Sequence, residues 1–411
     1  MTAAESPEPP AGEDGPRRRT VLAGGLGAVG GAALALGAAR LASPLPSAES
    51  AGAAGRATTP FRGAHQPGVI TEAQAHATFV AFDLLDGADR EALVRLMRVW
   101  TDDIERLASG RPGLADVEPE LAATPAGLTV TVGYGPGFLA AAGLARRAPD
   151  WLAPLPAFGV DRLEGRWSDG DALLQVCADD PLTVAHAVRV LTRGAQTFAA
   201  VRWVQHGFRH AAGSHAPGTT MRNLMGQLDG SRNLRGGTDD ALIWCGSDQQ
   251  DWLTAGTAVI VRRIAMDLDG WEQLGRSERE AVIGRRLADG SPLTGSQEHD
   301  EPDLSAKSPL GLPVIDMFAH IRRAVSDNPD ERFLRRSYNY DEPPTTGQHS
   351  NSGLVFVAYA ADPVRQFVPI QSRLDELDLL NRWTTPIGSA VFAVPPGART
   401  GEYLGERLLG A

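Results

Sequence analysis

Asp229 sits in the stretch Arg222–Asn233, "RNLMGQLDGSRN", between an apolar run and a glycine. An ionised carboxylate placed beside a substrate oxygen can take up a proton and hand it back, so this residue is a candidate general base. Asp-Gly is also a common turn pair, and taken alone the stretch reads equally well as a turn. A second candidate is His320 in "GLPVIDMFAHIRRAVSDNP", where Val314, Ile315, Phe318 and Ile321 predict an apolar helical face carrying the imidazole. An imidazole in that setting is either a satisfied core residue or a metal ligand. Fifteen residues later Arg335 and Arg336 lead "FLRRSYNYDE", an alternating aromatic strand. Neighbouring side chains on a strand face opposite ways, so one arginine can enter a pocket while the other faces solvent. Pairing of both with Glu331 or Asp341 at the surface is the plainer alternative. In "GLVFVAYAADP", Leu354 and Phe356 share one strand face, apolar enough to line a dry cavity.

Something must hold these residues together, and an internal comparison suggests what. "LLQVCADDPLTVAHAVRVL" (173–191) and "LVFVAYAADPVRQFVPIQSRL" (354–374) both read as a buried strand, Asp-Pro, then an amphipathic helix. The aspartate accepts hydrogen bonds from free amides of the first turn, and proline suits the first helical position because its missing N–H had no partner there. Two such units half a chain apart point to a duplicated α+β domain. Strands are also predicted at 77–84, 128–135, 199–204, 241–245, 258–266 and 390–394, and a helix over 90–97. No βαβ series with a glycine-rich phosphate loop occurs, so an antiparallel α+β fold is expected rather than a dinucleotide-binding one.

Composition narrows the function classes. A net charge of −11, from 39 basic and 50 acidic residues with the basic ones scattered, argues against nucleic acid as a partner. The two cysteines, Cys177 and Cys245, lie in separate apolar runs and read as buried free thiols. No CxxC or CxxCH occurs, which excludes the usual iron–sulfur spacings and covalently attached c-type haem. Near the N-terminus "PRRRTVLAGGLGAVGGAALALGAARLAS" joins Arg18-Arg19-Thr20-Val21-Leu22 to a glycine-rich, weakly apolar run. That is a twin-arginine export pattern, with a permanent membrane span as the competing reading. Twin-arginine export carries folded proteins, often with a cofactor loaded, and residues 40–58 read as a tether.

Several separated segments together resemble the dye-decolourising haem peroxidases, especially the twin-arginine-exported subgroup that includes the EfeB-like deferrochelatases. "GQLDG" has that family's GxxDG spacing, preceded by "RNLMG". "IWCGSDQQDWLTAGTAVIVRRI", "AVIGRR", "MFAHIRR", "LRRSYNY", "GLVFVAYAADP", "FVPIQSRL" and "IGSAVFAVPPG" follow in family order, and "GAHQPGVIT" opens the mature domain. Two departures stand out. Gln227-Leu228 replaces the commoner Phe-Lys and Ser231 the commoner Thr, and the interval from His320 to Arg335 is short.

The resemblance implies an α+β fold of two duplicated ferredoxin-like domains with antiparallel sheets. Residues 1–58 would form signal and linker, 59–220 the N-terminal domain, and 221–411 the C-terminal domain holding most of one haem b per chain. It implies that His320 ligates the iron, that Asp229 and Arg335 are the distal pair, and that Leu354 and Phe356 form the distal wall. Asp378, or alternatively Asp375, would hydrogen-bond the ligating histidine. Asn223 and Arg263 would contact the haem edge or propionates, and Trp244, Trp252, Tyr338 or Tyr359 could relay electrons. The implied function is peroxidation: hydrogen peroxide oxidises a phenolic or dye-like aromatic donor through a ferryl intermediate. Iron release from haem is the alternative. The implied setting is periplasmic or extracellular, reached by the twin-arginine machinery, with no permanent membrane span in the mature protein and with room for an iron-uptake or copper-oxidase partner.

Overall fold

The computed structural model describes residues 55–344 and 347–410; the twin-arginine stretch and most of the predicted tether lie outside the described residues. Nine strands run in chain order: β1 His76–Leu84, β2 Thr129–Tyr134, β3 Ala172–Ala178, β4 Ala199–Phe208, β5 Thr257–Met266, β6 Leu334–Arg335, β7 Tyr338–Glu342, β8 Asn351–Ala360 and β9 Thr384–Val394. They divide into two antiparallel sets of the same order. The first is β2-β3-β1-β4 and the second, counted from its other edge, is β7-β8-β5-β9, with the short β6 also paired to β8. Single bridges at Tyr134–Ala393 and Phe208–Asn339 join the sets into one nine-stranded sheet system.

Each set has a strand-helix-strand-strand-helix-strand order, which is the ferredoxin-like arrangement. The matching sequences at 173–191 and 354–374 supply the third strand and second helix of each half, as duplication requires. Their Asp-Pro steps do what the sequence predicts. Asp180 caps the helix Pro181–Ala195 by accepting from the Thr183 amide at 3.1 Å, and Asp362 caps Pro363–Leu377 by accepting from the Val364 and Arg365 amides at 2.9 and 3.1 Å.

Alternation along the strands creates two kinds of buried face. Phe79, Leu173, Val259, Val357 and Phe392 face one another between the sheets, where each fully buried side chain stabilises the fold by roughly 1.5–3 kcal/mol. On the outer face of the first sheet, the helix Arg90–Ala108 buries Leu93, Leu96, Trp100 and Ile104, and the Trp100 indole N–H donates to the Leu191 carbonyl at 3.0 Å. The equivalent crossover in the second half, residues 267–337, is long and broken into short helices. It stands away from the sheet and encloses a cavity instead of filling the space with one helix.

One predicted strand is absent. Residues 240–243 form a short helix, closed by the Trp244 amide donating to the Asp240 carbonyl at 2.8 Å, and the stretch pairs with residues 255–256 only at Cys245, whose amide donates to the Gly256 carbonyl at 2.8 Å and whose carbonyl accepts from the Ala255 amide at 2.9 Å. Cys177 and Cys245 are buried free thiols. Among the described residues no helix is long and apolar enough to cross a membrane. Replacing Asp180 by Ala should lower stability by about 1 kcal/mol through loss of the cap, read as a lower urea midpoint with unchanged m-value.

Candidate active site

The cavity beneath the long crossover has a volume of about 350 Å³, and every pocket residue expected from the sequence except Arg263 lines it. The predicted apolar helix around His320 forms only in part. The helix begins at His320 itself and runs to Ala324; Ile315 and Ile321 are buried, whereas Phe318 is exposed. The preceding segment is tied down by the Leu379 amide donating to the Phe318 carbonyl at 2.9 Å, which brings His320 against the end of Pro363–Leu377.

There Nδ1 of His320 donates to Oδ2 of Asp378 at 2.6 Å, and Oδ1 of the same carboxylate accepts from the Leu380 amide at 2.9 Å. Asp375, the other aspartate considered, accepts from the Gly159 and Val160 amides, each at 2.8 Å, and makes no contact with the imidazole. Among the described residues nothing in the protein hydrogen-bonds Nε2 of His320, which leaves that nitrogen available to a ligand. Burial disfavours the imidazolium, yet the Asp378 carboxylate outweighs it, and the His320 pKa is held above its ordinary value.

Across the cavity the stretch Arg222–Asn233 answers the question of its aspartate. Gly226 and Gly230 have φ of 85° and 129°, in the region that favours glycine, so both glycines are there for backbone reasons. Asn223 lines the cavity but spends its side-chain oxygen inside the turn, accepting from the Met225 and Gln227 amides at 3.1 and 3.2 Å. The turn presents Asp229, whose Oδ1 accepts from Nη1 of Arg335 at 3.0 Å. Arg335 is itself located by Asn233, whose side chain accepts from its amide at 2.8 Å and donates to its carbonyl at 2.6 Å. Sequence reasoning missed Asn233, although its place two residues before a run of arginine and glycine gave no signal.

Strand alternation separates Arg335 from Arg336, but not by sending the second to solvent. Arg336 is buried on the opposite side and donates to the Thr71 carbonyl and the Gln74 side chain. The same parity corrects the expectation for Arg263. On β5, Arg262, Ile264 and Met266 face the cavity, while Arg263 turns into the inter-sheet core. There it pairs with Glu342 at 2.9 Å and lies between the Trp167 and Tyr340 rings, its guanidinium carbon 4.1 Å from each centroid. Leu354 and Phe356 stand beside Ile264 and Arg262 in register and make a flat apolar wall. Trp244, Trp252, Tyr338 and Tyr359 are core residues, and none lines the cavity.

A large planar, metal-bearing macrocycle with carboxylates at its rim would fit this cavity. The free Nε2 of His320 could hold its metal, Leu354 and Phe356 would line one of its faces, and the margin carries cationic groups. Arg262, fully buried and paired with Asp161, has Nε and Nη1 without a hydrogen-bond partner among the described residues. Orphaned buried donors of this kind are what a carboxylate-bearing rim would satisfy. The cavity is therefore that of a haem-binding oxidoreductase.

Comparison with known proteins identifies the family. The C-terminal region of the Dyp-type peroxidases matches residues 220–399 and their N-terminal region residues 66–209. The dye-decolorizing peroxidase of Thermobifida fusca is 38% identical, over 98% of this chain and 99% of its own length. The deferrochelatase of Escherichia coli K12 is 33% identical, over 85% of this chain and 87% of its own. A crystal structure of a DyP-type peroxidase from Cellulomonas bogoriensis superposes with a TM-score of 0.86 at 59% identity, covering 87% of this chain and 99% of that one. One from Streptomyces coelicolor gives 0.84 at 41%, with the same coverage. The chain belongs to the Dyp-type peroxidase family. It is a haem peroxidase, an oxidoreductase.

Because the His320 pKa is raised by Asp378, this pair contributes stability to the haem-free chain that is fully present below the unfolded-state histidine pKa and is lost as pH rises through the folded-state value. In Asp378→Asn the effect of burial is no longer outweighed by that carboxylate. NMR titration of the haem-free protein should then find the His320 pKa shifted downward, with the stability gain at low pH gone.

Proposed function

We propose that this protein uses hydrogen peroxide to oxidise phenolic or dye-like aromatic donors, with one haem b per chain whose iron is bound by Nε2 of His320. The observation that carries this reading is the Asp229–Arg335 pair facing the same cavity as His320. Haem carriage alone has no need of an acid–base group on the facing wall. When bound, the haem supplies a metal centre that accepts the peroxide oxygen and stores oxidising equivalents.

The protein's own residues have separable tasks. With Oδ1 of Asp229 held by Arg335, Oδ2 is the atom that removes a proton from the peroxide and returns it to the oxygen that leaves as water. Arg335 fixes that carboxylate and offers its guanidinium to the negative charge that develops as the O–O bond breaks. Asp378 accepts the Nδ1 proton of His320, which orients the ring and makes Nε2 a more electron-rich ligand. Leu354 and Phe356 keep water from the face on which peroxide reacts. Residues 59–220 and 221–411 serve as the two ferredoxin-like domains of the mature protein, and residues 1–58 direct twin-arginine export to a periplasmic or extracellular site.

Release of iron from haem is a second reading, favoured by the deferrochelatase relatives alone. The two are distinguished by mixing ferric protein with one equivalent of peroxide in a stopped-flow spectrometer, followed by a phenolic donor. Peroxidation predicts a rapid absorbance change that the donor reverses with the haem intact, whereas demetallation of the haem would support the second reading. His320→Ala should lose the haem Soret band, and full haem content in that variant would remove His320 from the ligand position. Asp229→Asn and Arg335→Leu should keep the band and slow the reaction with peroxide by about 10²–10⁴-fold.

A further inference from the structure

The connection that follows β4, residues 209–220, carries two histidines that the peroxide chemistry leaves unused, His210 and His215. It is built as two tight turns in a row. The Ser214 amide and hydroxyl both donate to the Ala211 carbonyl, at 3.0 and 2.6 Å, and the Thr219 amide and hydroxyl both donate to the Ala216 carbonyl, at 3.1 and 2.7 Å. Gly213 and Gly218, with φ of 76° and 79°, supply the left-handed residue in each turn. Upstream, the Arg209 amide donates to the Ala75 carbonyl at 2.8 Å and its Nε to the Ser337 carbonyl at 2.9 Å, which ties the start of the connection to the sheet. The two imidazoles are thereby brought together, with ring centroids 4.4 Å apart and planes inclined by 42°.

Both rings are free to act as ligands. A hydroxyl has one proton to give, and Ser214 gives its own to Ala211; its oxygen therefore accepts from Nδ1–H of His215, 2.9 Å away, which leaves the lone pair of that ring on Nε2. Fixing the tautomer through the far nitrogen is how metal-binding histidines are prepared. Among the described residues Nε2 of His215 and both ring nitrogens of His210 have no hydrogen-bond partner. Burial, then the charges of His215 and Arg209, hold the His210 pKa below its ordinary value against the smaller pull of Glu72, so that ring is neutral at neutral pH and keeps a lone pair for an ion. The spacing then selects the ion. With metal–nitrogen bonds of about 2.0–2.1 Å each ring centroid lies about 3.2 Å from the metal, so two rings at a right angle on one ion have centroids about 4.5 Å apart, and two at the tetrahedral angle about 5.2 Å. The 4.4 Å separation here matches the right angle, which belongs to tetragonal Cu(II) rather than tetrahedral zinc.

From this geometry we infer that His210 and His215 form a two-imidazole site for a late divalent transition ion, with Cu(II) bound more tightly than Zn(II). The site is separate from the haem cavity, which neither histidine lines, and it does not depend on the peroxidase reading. Among the described residues no third histidine, cysteine, aspartate or glutamate joins the pair, so water fills the remaining positions and the ion stays exchangeable. Ser214 is a positioning residue: it touches the ring of His215 and not the ion.

The test titrates copper(II) sulfate and zinc(II) sulfate into the haem-loaded protein by calorimetry at neutral pH. Pulsed electron paramagnetic resonance of the copper complex, whose signal is resolved from that of ferric haem, counts the coordinated imidazoles through their remote nitrogens. The wild type should bind about one equivalent of copper through both imidazoles, at least about tenfold more tightly than zinc, with the haem Soret band unchanged. His210→Ala and His215→Ala should each leave one coordinated imidazole and weaken copper binding by more than about tenfold, and Ser214→Ala, which keeps both rings but releases the tautomer, should weaken it by about tenfold. Ser214 and His215 are exposed, so their replacement leaves the core packing alone. Copper affinity unchanged in both histidine variants, or a single coordinated imidazole in the wild type, would mean adventitious copper only and would overturn the site. Zinc bound as tightly as copper would overturn the right-angled pair and the choice of ion with it.

Discussion

The pairing of β5 with β8 is the constraint on which the site depends. Arg262 lies opposite Phe356 and Ile264 opposite Leu354, and antiparallel register leaves no freedom to rotate one residue without rotating its neighbours. One face of this strand pair is spent on the inter-sheet core, with Val259, Val261, Val355 and Val357. The other face must be covered by something else. In the first half of the molecule the corresponding face receives a regular helix, whereas here it receives an irregular crossover that leaves a cavity. Duplication thus gave two similar halves, and the length of one connection made only the second of them a binding domain.

Two hydrogen-bonded ion pairs stand on opposite sides of that cavity, and each joins residues far apart in the chain. His320 and Asp378 are separated by 58 positions, Asp229 and Arg335 by 106. Each partner is held by backbone contacts of its own: Asp378 by the Leu380 amide, Arg335 by Asn233 on both sides of its peptide. Such anchoring matters because a long side chain left free would forfeit its geometry to rotamer entropy. It is also how a chemical group is held in place before its substrate arrives.

Two further arginines, Arg336 and Arg263, are buried away from the cavity with carbonyls, a carboxylate or aromatic faces around them, though the Nε of each has no hydrogen-bond partner among the described residues.

The sequence by itself determined the elements and the chemical types. Asp-Pro caps and strand alternation are local features, and local physics was enough to locate the duplicated unit and to put Leu354 and Phe356 on one face; Asp229 and His320 were locally ambiguous and took their roles from the family resemblance. It also separated the two arginines of the Arg335-Arg336 pair, though not the burial of the second. Tertiary structure alone decided between Asp378 and Asp375, since both lie near the end of one helix and only the approach of the Phe318 segment selects a partner for His320. It alone put Arg262 rather than Arg263 at the cavity, because parity along a strand says that neighbours diverge without saying which side is the cavity. Burial, register and the meeting of distant segments are properties of the packed chain, and no window of sequence contains them.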